Sequence, residues 1–278
     1  KYTDKLNSEY KFMKQLKLMV LTLTLLMGTM FTSCMDSGES GPQQWAGVVK
    51  VNDRMGYVTF TDAAGTELIP TNTIPVTLNA RMAYIYCQVD EGQDLSTNPK
   101  SIKITLLADP TGIDATAITT PKVESSDVTT NAPVGSLSFA SGYSTVAPFQ
   151  FSENTIVLPV LYRVKNVTTT EDIKKELAKH TFTLVCYTDD IKSGDTILKL
   201  YLRYKVEDEP AAIAERATRT SSFKAYEISQ ILREYTLKSG QAKPAKITIV
   251  AQQNEYNNKL EDTSTIEKVY EIEYKTAE

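Results

Sequence analysis

The chain has one histidine, three cysteines and one tryptophan among its 278 residues, and each shortage closes a class of chemistry. A structural zinc site gathers several Cys or His at close spacing, which His180 and the scattered Cys34, Cys87 and Cys186 do not offer. Carboxylates alone could hold calcium, but no DxDxDG-type loop occurs, and Asp189-Asp190 reads as a turn. Ser-His-Asp chemistry would have to run through His180, and no G-x-S-x-G or H-E-x-x-H pattern accompanies it. His180 closes TTEDIKKELAKH, where a helix end favours a cation, so it reads as a helix-end residue rather than a general base. Two carboxylates suffice for glycoside hydrolysis, yet nothing singles out a pair among 34 acids. We therefore expect no catalytic residue, no metal, no cofactor and no enzyme activity, with a hydrolase using a carboxylate pair as the remote alternative. Clustered Lys/Arg is missing as well, which argues against nucleic acid as a partner.

Long apolar runs are also scarce. The one that stands out, Leu18 to Phe31 behind Lys14 and Lys17, is 14 residues long, short of the roughly 20 that cross a bilayer as a helix and within the range of a signal-peptide core. Phe31-Thr32-Ser33-Cys34 then leads into the polar stretch MDSGESGPQQ. This resembles the lipobox of bacterial lipoproteins, with Phe31 where Leu is usual. The resemblance implies cleavage before Cys34, lipid attachment at the Cys34 sulfur, and an envelope protein held by several acyl chains, at the outer membrane. Several chains anchor stably where one does not. Residues 1–12 resemble no signal and are expected to be upstream sequence, so residues 1–33 would be removed. They carry five of the 30 basic and two of the 34 acidic residues, which leaves a net charge of −7. Residues 34–44 would form the lipidated tether.

What remains is patterned with period two, so the fold class expected is all-β. From 45 to 109, WAGVVKV, GYVTFTD, TELIP, MAYIYCQVD and SIKITLLAD are separated by turn residues, which suits a small five-stranded closed barrel. Residues 110–153, rich in Ser, Thr, Ala, Gly and Pro, read as a linker or loose excursion. From 154 to 278, alternation such as Leu198, Leu200, Leu202, Tyr204 and Val206 against Lys199, Tyr201, Arg203 and Lys205 predicts an antiparallel β-sandwich. The one short helix expected there is TTEDIKKELAKH, capped by Thr169 or Thr170. Cys87 and Cys186 each sit on an apolar face of a different domain, so they read as core thiols too far apart to be bridged. The insert VEDEPAAIAERATRTSS reads as a solvated loop, and Trp45 as packing on the first barrel strand.

WAGVV, GYVTFTDAAGTELIP, RMAYIYCQVDEG, SIKITLLADPTG, HTFTLVCYTDD, ILKLYLRYKVEDE and KPAKITIVAQQ, behind a lipoprotein signal, together resemble the NigD-like lipoproteins of anaerobic Bacteroidota. The resemblance implies an OB-like barrel followed by a β-sandwich, and a protein-binding or peptide-binding envelope protein of bacteriocin-immunity type. It offers no catalytic residues. The alternative is a surface glycan-binding lipoprotein, for which the outward Tyr84, Tyr86 and Tyr201 are the candidate ligand face.

Overall fold

The computed structural model describes residues 43–276 apart from 55–56, 73–77, 94, 96–98, 125–127 and 142–143. These residues divide into two compact units. Residues up to 78, 83–111 and 140–146 belong to the first, and 79–82, 112–139 and 147 onward to the second.

All five barrel strands read from the sequence are present, as β1 (Gln44–Arg54), β2 (Tyr57–Thr61), β3 (Glu67–Pro70), β4 (Met82–Val89) and β5 (Ser101–Leu106). They are ordered β1-β2-β3-β5-β4, and β4 pairs back onto β1, so the sheet closes. The β3–β5 pair is parallel because β4 lies between them in sequence and carries the chain across. The strand β6 (Thr111–Ile113) adds to β4. Alternate residues point inward, and Val49, Phe60, Ile85, Cys87, Val89, Ile102 and Ile104 fill the interior. Trp45 packs against that core from β1. Its indole lies over Gly47, where a Cβ would meet the ring at 2.6 Å. The β2–β3 turn is held by the Asp62 carboxylate, which accepts from the backbone N–H of Ala64 and Thr66 at 2.9 and 2.8 Å.

The second unit is a sandwich of two four-stranded sheets. One is ordered β10-β11-β14-β7 and the other β12-β13-β15-β16. Their strands are β7 (Ala115–Ala117), β10 (Phe149–Ser152), β11 (Thr155–Val164), β12 (His180–Val185), β13 (Ile197–Val206), β14 (Thr218–Glu227), β15 (Lys246–Gln253) and β16 (Ile266–Glu273). The strands β8 (Phe139–Ser141) and β9 (Ser144–Val146) form a separate ribbon that falls almost wholly in the first unit. The expected facing on β13 is found: Leu198, Leu200, Leu202, Tyr204 and Val206 are buried with Ile156, Leu158, Val160 and Tyr162 of the other sheet.

Three expectations for this unit are corrected. The sandwich is mixed rather than antiparallel, because β13 pairs with β15 and β14 with β7 in parallel. Between β13 and β15 the chain visits the other sheet as β14, with a helix on either side of it, and that excursion is the crossover a parallel pair requires. Three α-helices occur among the described residues instead of one: α1 (Thr170–Ala178), α2 (Pro210–Ala214) and α3 (Ser229–Ser239). In α3, Ile231, Leu232, Tyr235 and Ser239 fall on one face and are buried, a helical period that strand-directed reading passes over.

The stretch 110–153 is neither a linker nor a loose excursion. It holds β6 to β10, and Ile118, Ala132, Val134 and Leu137 are buried in the sandwich core. Its backbone is paired as strands are: Thr119 N–H donates to Leu184 O at 3.0 Å and Val134 N–H to Gln252 O at 2.9 Å. The Asn131 amide imitates a strand, accepting from Val206 N–H at 2.8 Å and donating to Val206 O at 2.9 Å.

Pro159 sits within β11 opposite Phe223. Strand alternation turns its nitrogen the same way as that of Leu161, whose N–H donates to Ser136 O. Pairing with β10 runs from Thr155 to Val157. The missing donor therefore falls in the gap between β10 and Ser136, where no ladder bond is lost.

Candidate functional site

Cys34 lies outside the described residues. Of the candidate ligand face, Tyr84 and Tyr86 share one face of β4 in the barrel unit, whereas Tyr201 belongs to the sandwich unit. Tyr84 is half-buried, and burial pushes its phenol up to about 12. Tyr86 is 39% exposed and its hydroxyl donates to Gln44 Oε1. Tyr201 has the Lys199 ammonium 4.9 Å and the Arg203 guanidinium 5.1 Å from its ring centroid, with the Tyr187 ring at 5.0 Å. Its surroundings are thus cations and another aromatic rather than an open platform for a sugar ring.

Cys87 and Cys186 are free, buried thiols in separate cores, and burial pushes both up to about 12. Thiols held so far above neutrality are poor nucleophiles.

The densest chemistry in the sandwich unit gathers around α1. Thr169 caps this helix by accepting from Asp172 N–H at 3.1 Å, and Glu171 and Asp172 complement its positive end. The buried residue of α1 is Glu176, a carboxylate on the face where an apolar side chain would be usual. It is matched by Arg216, which follows α2 and whose side chain is fully buried. Arg216 Nε and Nη2 donate to the two Glu176 oxygens at 2.7 and 3.2 Å, Nη2 also reaches Asp208 Oδ2 at 3.1 Å, and Nη1 donates to Ala212 O at 2.8 Å. A forked guanidinium on a carboxylate is the geometry that makes such a buried pair tolerable. Lys165 N–H donates to Glu176 Oε1 at 2.9 Å, and the ammonium groups of Lys165 and Lys179 both meet Asp208 Oδ2 at 3.1 Å. These three cations hold Asp208 well below the usual carboxylate range.

His180 is part of this network rather than an exposed helix-end residue. Its Nδ1 lies 2.6 Å from Tyr204 Oη and its Nε2 3.3 Å from Glu176 Oε1, with the side chain 1% exposed. Both ring nitrogens are thus engaged within the core, among the rings of Tyr162, Phe182 and Tyr204. The arrangement holds together three pieces of chain that are far apart in sequence, and its partners satisfy one another. At its rim, Asp208 and the side chains of Lys165 and Lys179 reach solvent. Sequence reasoning missed it because Asp208 and Arg216 come from the insert read as a solvated loop. An isolated carboxylate on the apolar side of α1 was the one available signal.

Protonation should reveal the network. Burial holds the His180 imidazole below its ordinary value, with Arg216 and Lys224 acting the same way against the pull of Glu176. Burial works to raise Glu176, but hydrogen bonds from Lys165, Arg216 and His180 outweigh it and hold the carboxyl low. Both folded values lie below the unfolded ones, so the unfolded chain takes up protons first as pH falls. Stability is then lost below about pH 6.5 through His180 and again below about pH 4.5 through Glu176. As His180 is the lone imidazole, the upper window isolates it. Urea midpoints should drop between about pH 7.5 and about pH 5.5, and a midpoint that rises there would contradict this assignment.

Comparison with known proteins places the chain. A candidate lipoprotein from Bacteroides fragilis, known from its crystal structure, is 95% identical over 85% of this chain and 100% of its own, with a TM-score of 0.78. The chain belongs to this family of Bacteroides lipoproteins. A NigD-like immunity protein from Bacteroides caccae matches over 83% of the chain at 11% identity with a TM-score of 0.47, too slight a likeness to transfer any property. A Bacteroides vulgatus protein of unknown function, DUF1344, matches over 84% of the chain at 12% identity with a TM-score of 0.53, which speaks for the fold alone. No family model and no curated protein matches the chain. Among the described residues of this lipoprotein, no helix is long and apolar enough to cross a membrane.

Proposed function

We propose that this lipoprotein is a non-enzymatic protein of the cell envelope, anchored in the outer membrane through lipid on Cys34, that binds a protein or peptide partner in the manner of a bacteriocin-immunity factor. The observation that carries the reading is the near-identity to a Bacteroides fragilis candidate lipoprotein, joined to a basic, apolar and then Thr32-Ser33-Cys34 leader in this chain. Supporting the non-enzymatic part, the lone imidazole is buried with both nitrogens engaged and the described thiols are held protonated. A binding role in place of catalysis also suits a construction whose strongest polar groups are spent on holding the sandwich together. The surroundings of Tyr201 give the glycan alternative no comparable support.

Cys34→Ala is the direct test. The sulfur is the attachment atom and no described helix is apolar enough to replace it, so the variant should move from the membrane to the soluble fraction on detergent partitioning. Retention of Cys34→Ala in the membrane fraction would refute lipid anchoring at this residue.

A further inference from the structure

The strand β16 is the edge of its sheet and the longest edge strand of the sandwich. It pairs with β15 without a bulge through eight residues, from Gln253↔Ile266 to Lys246↔Glu273. Tyr274 N–H donates to Ala245 O at 3.1 Å, one step along the same register. Antiparallel alternation therefore turns the backbone groups of Ile266, Lys268, Tyr270 and Ile272 toward β15, and those of Glu267, Val269, Glu271 and Glu273 away from it. Among the described residues, no backbone partner meets those four outward N–H and C=O pairs. The four side chains are exposed, with Val269 at 52%. The next outward position shows how such a pair is satisfied. Lys275 N–H donates to Gln150 Oε1 and Gln150 Nε2 donates to Lys275 O, both at 2.7 Å, so a side-chain amide takes the place of a neighbouring strand.

Protein sheets commonly blunt an open edge with charge, and this one carries charge of a single sign on its outward residues: Glu267, Glu271 and Glu273, with Val269 between them. Lys246 on β15 meets Glu271 and Glu273 at 3.0 and 3.2 Å, on the side away from the open edge, and Glu267 has no such ion pair among the described residues. A second copy laid antiparallel on this edge would set glutamates against glutamates, which is destabilising. The tether residues from Cys34 onward bring Asp36 and Glu39, again of the same sign.

We infer that the open edge of β16 is a docking edge for an extended segment of a partner protein with Lys or Arg at alternate positions, added to the sheet as a further strand. This rests on the reading that the lipoprotein binds a protein or peptide, and it names the place and the chemistry. Backbone hydrogen bonds to Glu267, Val269, Glu271 and Glu273 would give affinity, and the glutamate row would select basic residues flanking an apolar one opposite Val269.

The test uses the full mature chain and two synthetic peptides, Lys-Thr-Lys-Thr-Val-Thr-Lys and its counterpart with Glu for each Lys. The basic peptide should bind saturably, lose affinity as salt rises, and slow amide exchange at Glu267, Val269, Glu271 and Glu273. The acidic peptide should not bind. Val269→Pro removes one outward donor and no bond to β15, so its melting curve should match the wild type while affinity for the basic peptide falls about tenfold or more. The charge reversal Glu267→Lys with Glu271→Lys leaves the ladder whole and should exchange the preference toward the acidic peptide. Absence of saturable binding, equal binding of both peptides, protection at other amides, or self-association through β16 would each overturn the inference. If a partner cross-links to another face in intact envelopes while the β16 amides stay unprotected, the binding reading stands and the edge assignment alone falls.

Discussion

Replacing Glu176 with Leu is expected to destabilise the sandwich unit by about 3–5 kcal/mol, the usual penalty for leaving one member of a buried ion pair without its partner. Arg216 is fully buried, and Glu176 takes two of its donors. Without the carboxylate, the guanidinium keeps only Ala212 O and Asp208, the latter at the rim. His180 Nε2 and Lys165 N–H lose their acceptor as well. Arg216→Met should be comparably damaging, since it strands a buried carboxylate. The double variant Glu176→Leu with Arg216→Met should lose much less than the sum of the single changes, because two apolar side chains of similar size can replace a buried pair at little net cost. Urea denaturation of the four proteins decides this. Additive losses would mean that the two side chains do not act as a pair.

Leu137→Ala should cost about 2–5 kcal/mol, the range for emptying a fully buried leucine site. Leu137 is 0% exposed and lies in the same core as Leu158, Leu200 and Ile249. It comes from the stretch whose composition reads as a linker, where the same substitution would change stability by no more than about 0.5 kcal/mol. The unfolding midpoint therefore separates the two descriptions of 110–153. A loss near the lower figure would mean that this segment is not part of the packed sandwich.

The barrel was legible from the sequence because its strands are consecutive and each carries its own alternation. Val49, Phe60, Ile85, Cys87 and Ile104 each sit in a local period-two pattern, and turn residues such as Asp62 and Gly65 mark where one strand stops. The faces of β13 were legible for the same reason. In 110–153 that logic fails. The residues it gives to the sandwich core, Ile118, Ala132, Val134 and Leu137, are too irregularly spaced to make a pattern. The segment gains its order from backbone groups that pair with strands far along the chain, Thr119 with Leu184 and Asn131 with Tyr204.

The ion network lies further from sequence reasoning. Glu176, His180, Tyr204, Asp208 and Arg216 are spread over 41 positions and alternate between helix, strand and insert. A lone histidine beside a helix end has the same local environment whether it is solvated or buried. Only the packing of α1 against the start of β12 and the return of the chain after α2 puts Glu176 and Arg216 within 2.7 Å. The pair then bears on the protonation of His180 beside it, Glu176 favouring the cation and Arg216 opposing it.

What the sequence by itself determined is what rests on local spacing: the all-β class, the five barrel strands and the two-faced strands of the sandwich. Hydrophobic alternation and turn chemistry act over a few residues, so they can be read without knowing the partners. The tertiary structure decided what depends on meetings across the chain. These are the parallel β13–β15 pair, the burial of Ile118, Ala132, Val134 and Leu137, the closure of Arg216 on Glu176 and the choice of β16 as an open edge. Each is settled by which segments come to lie side by side, and a linear pattern of residue types does not carry that information.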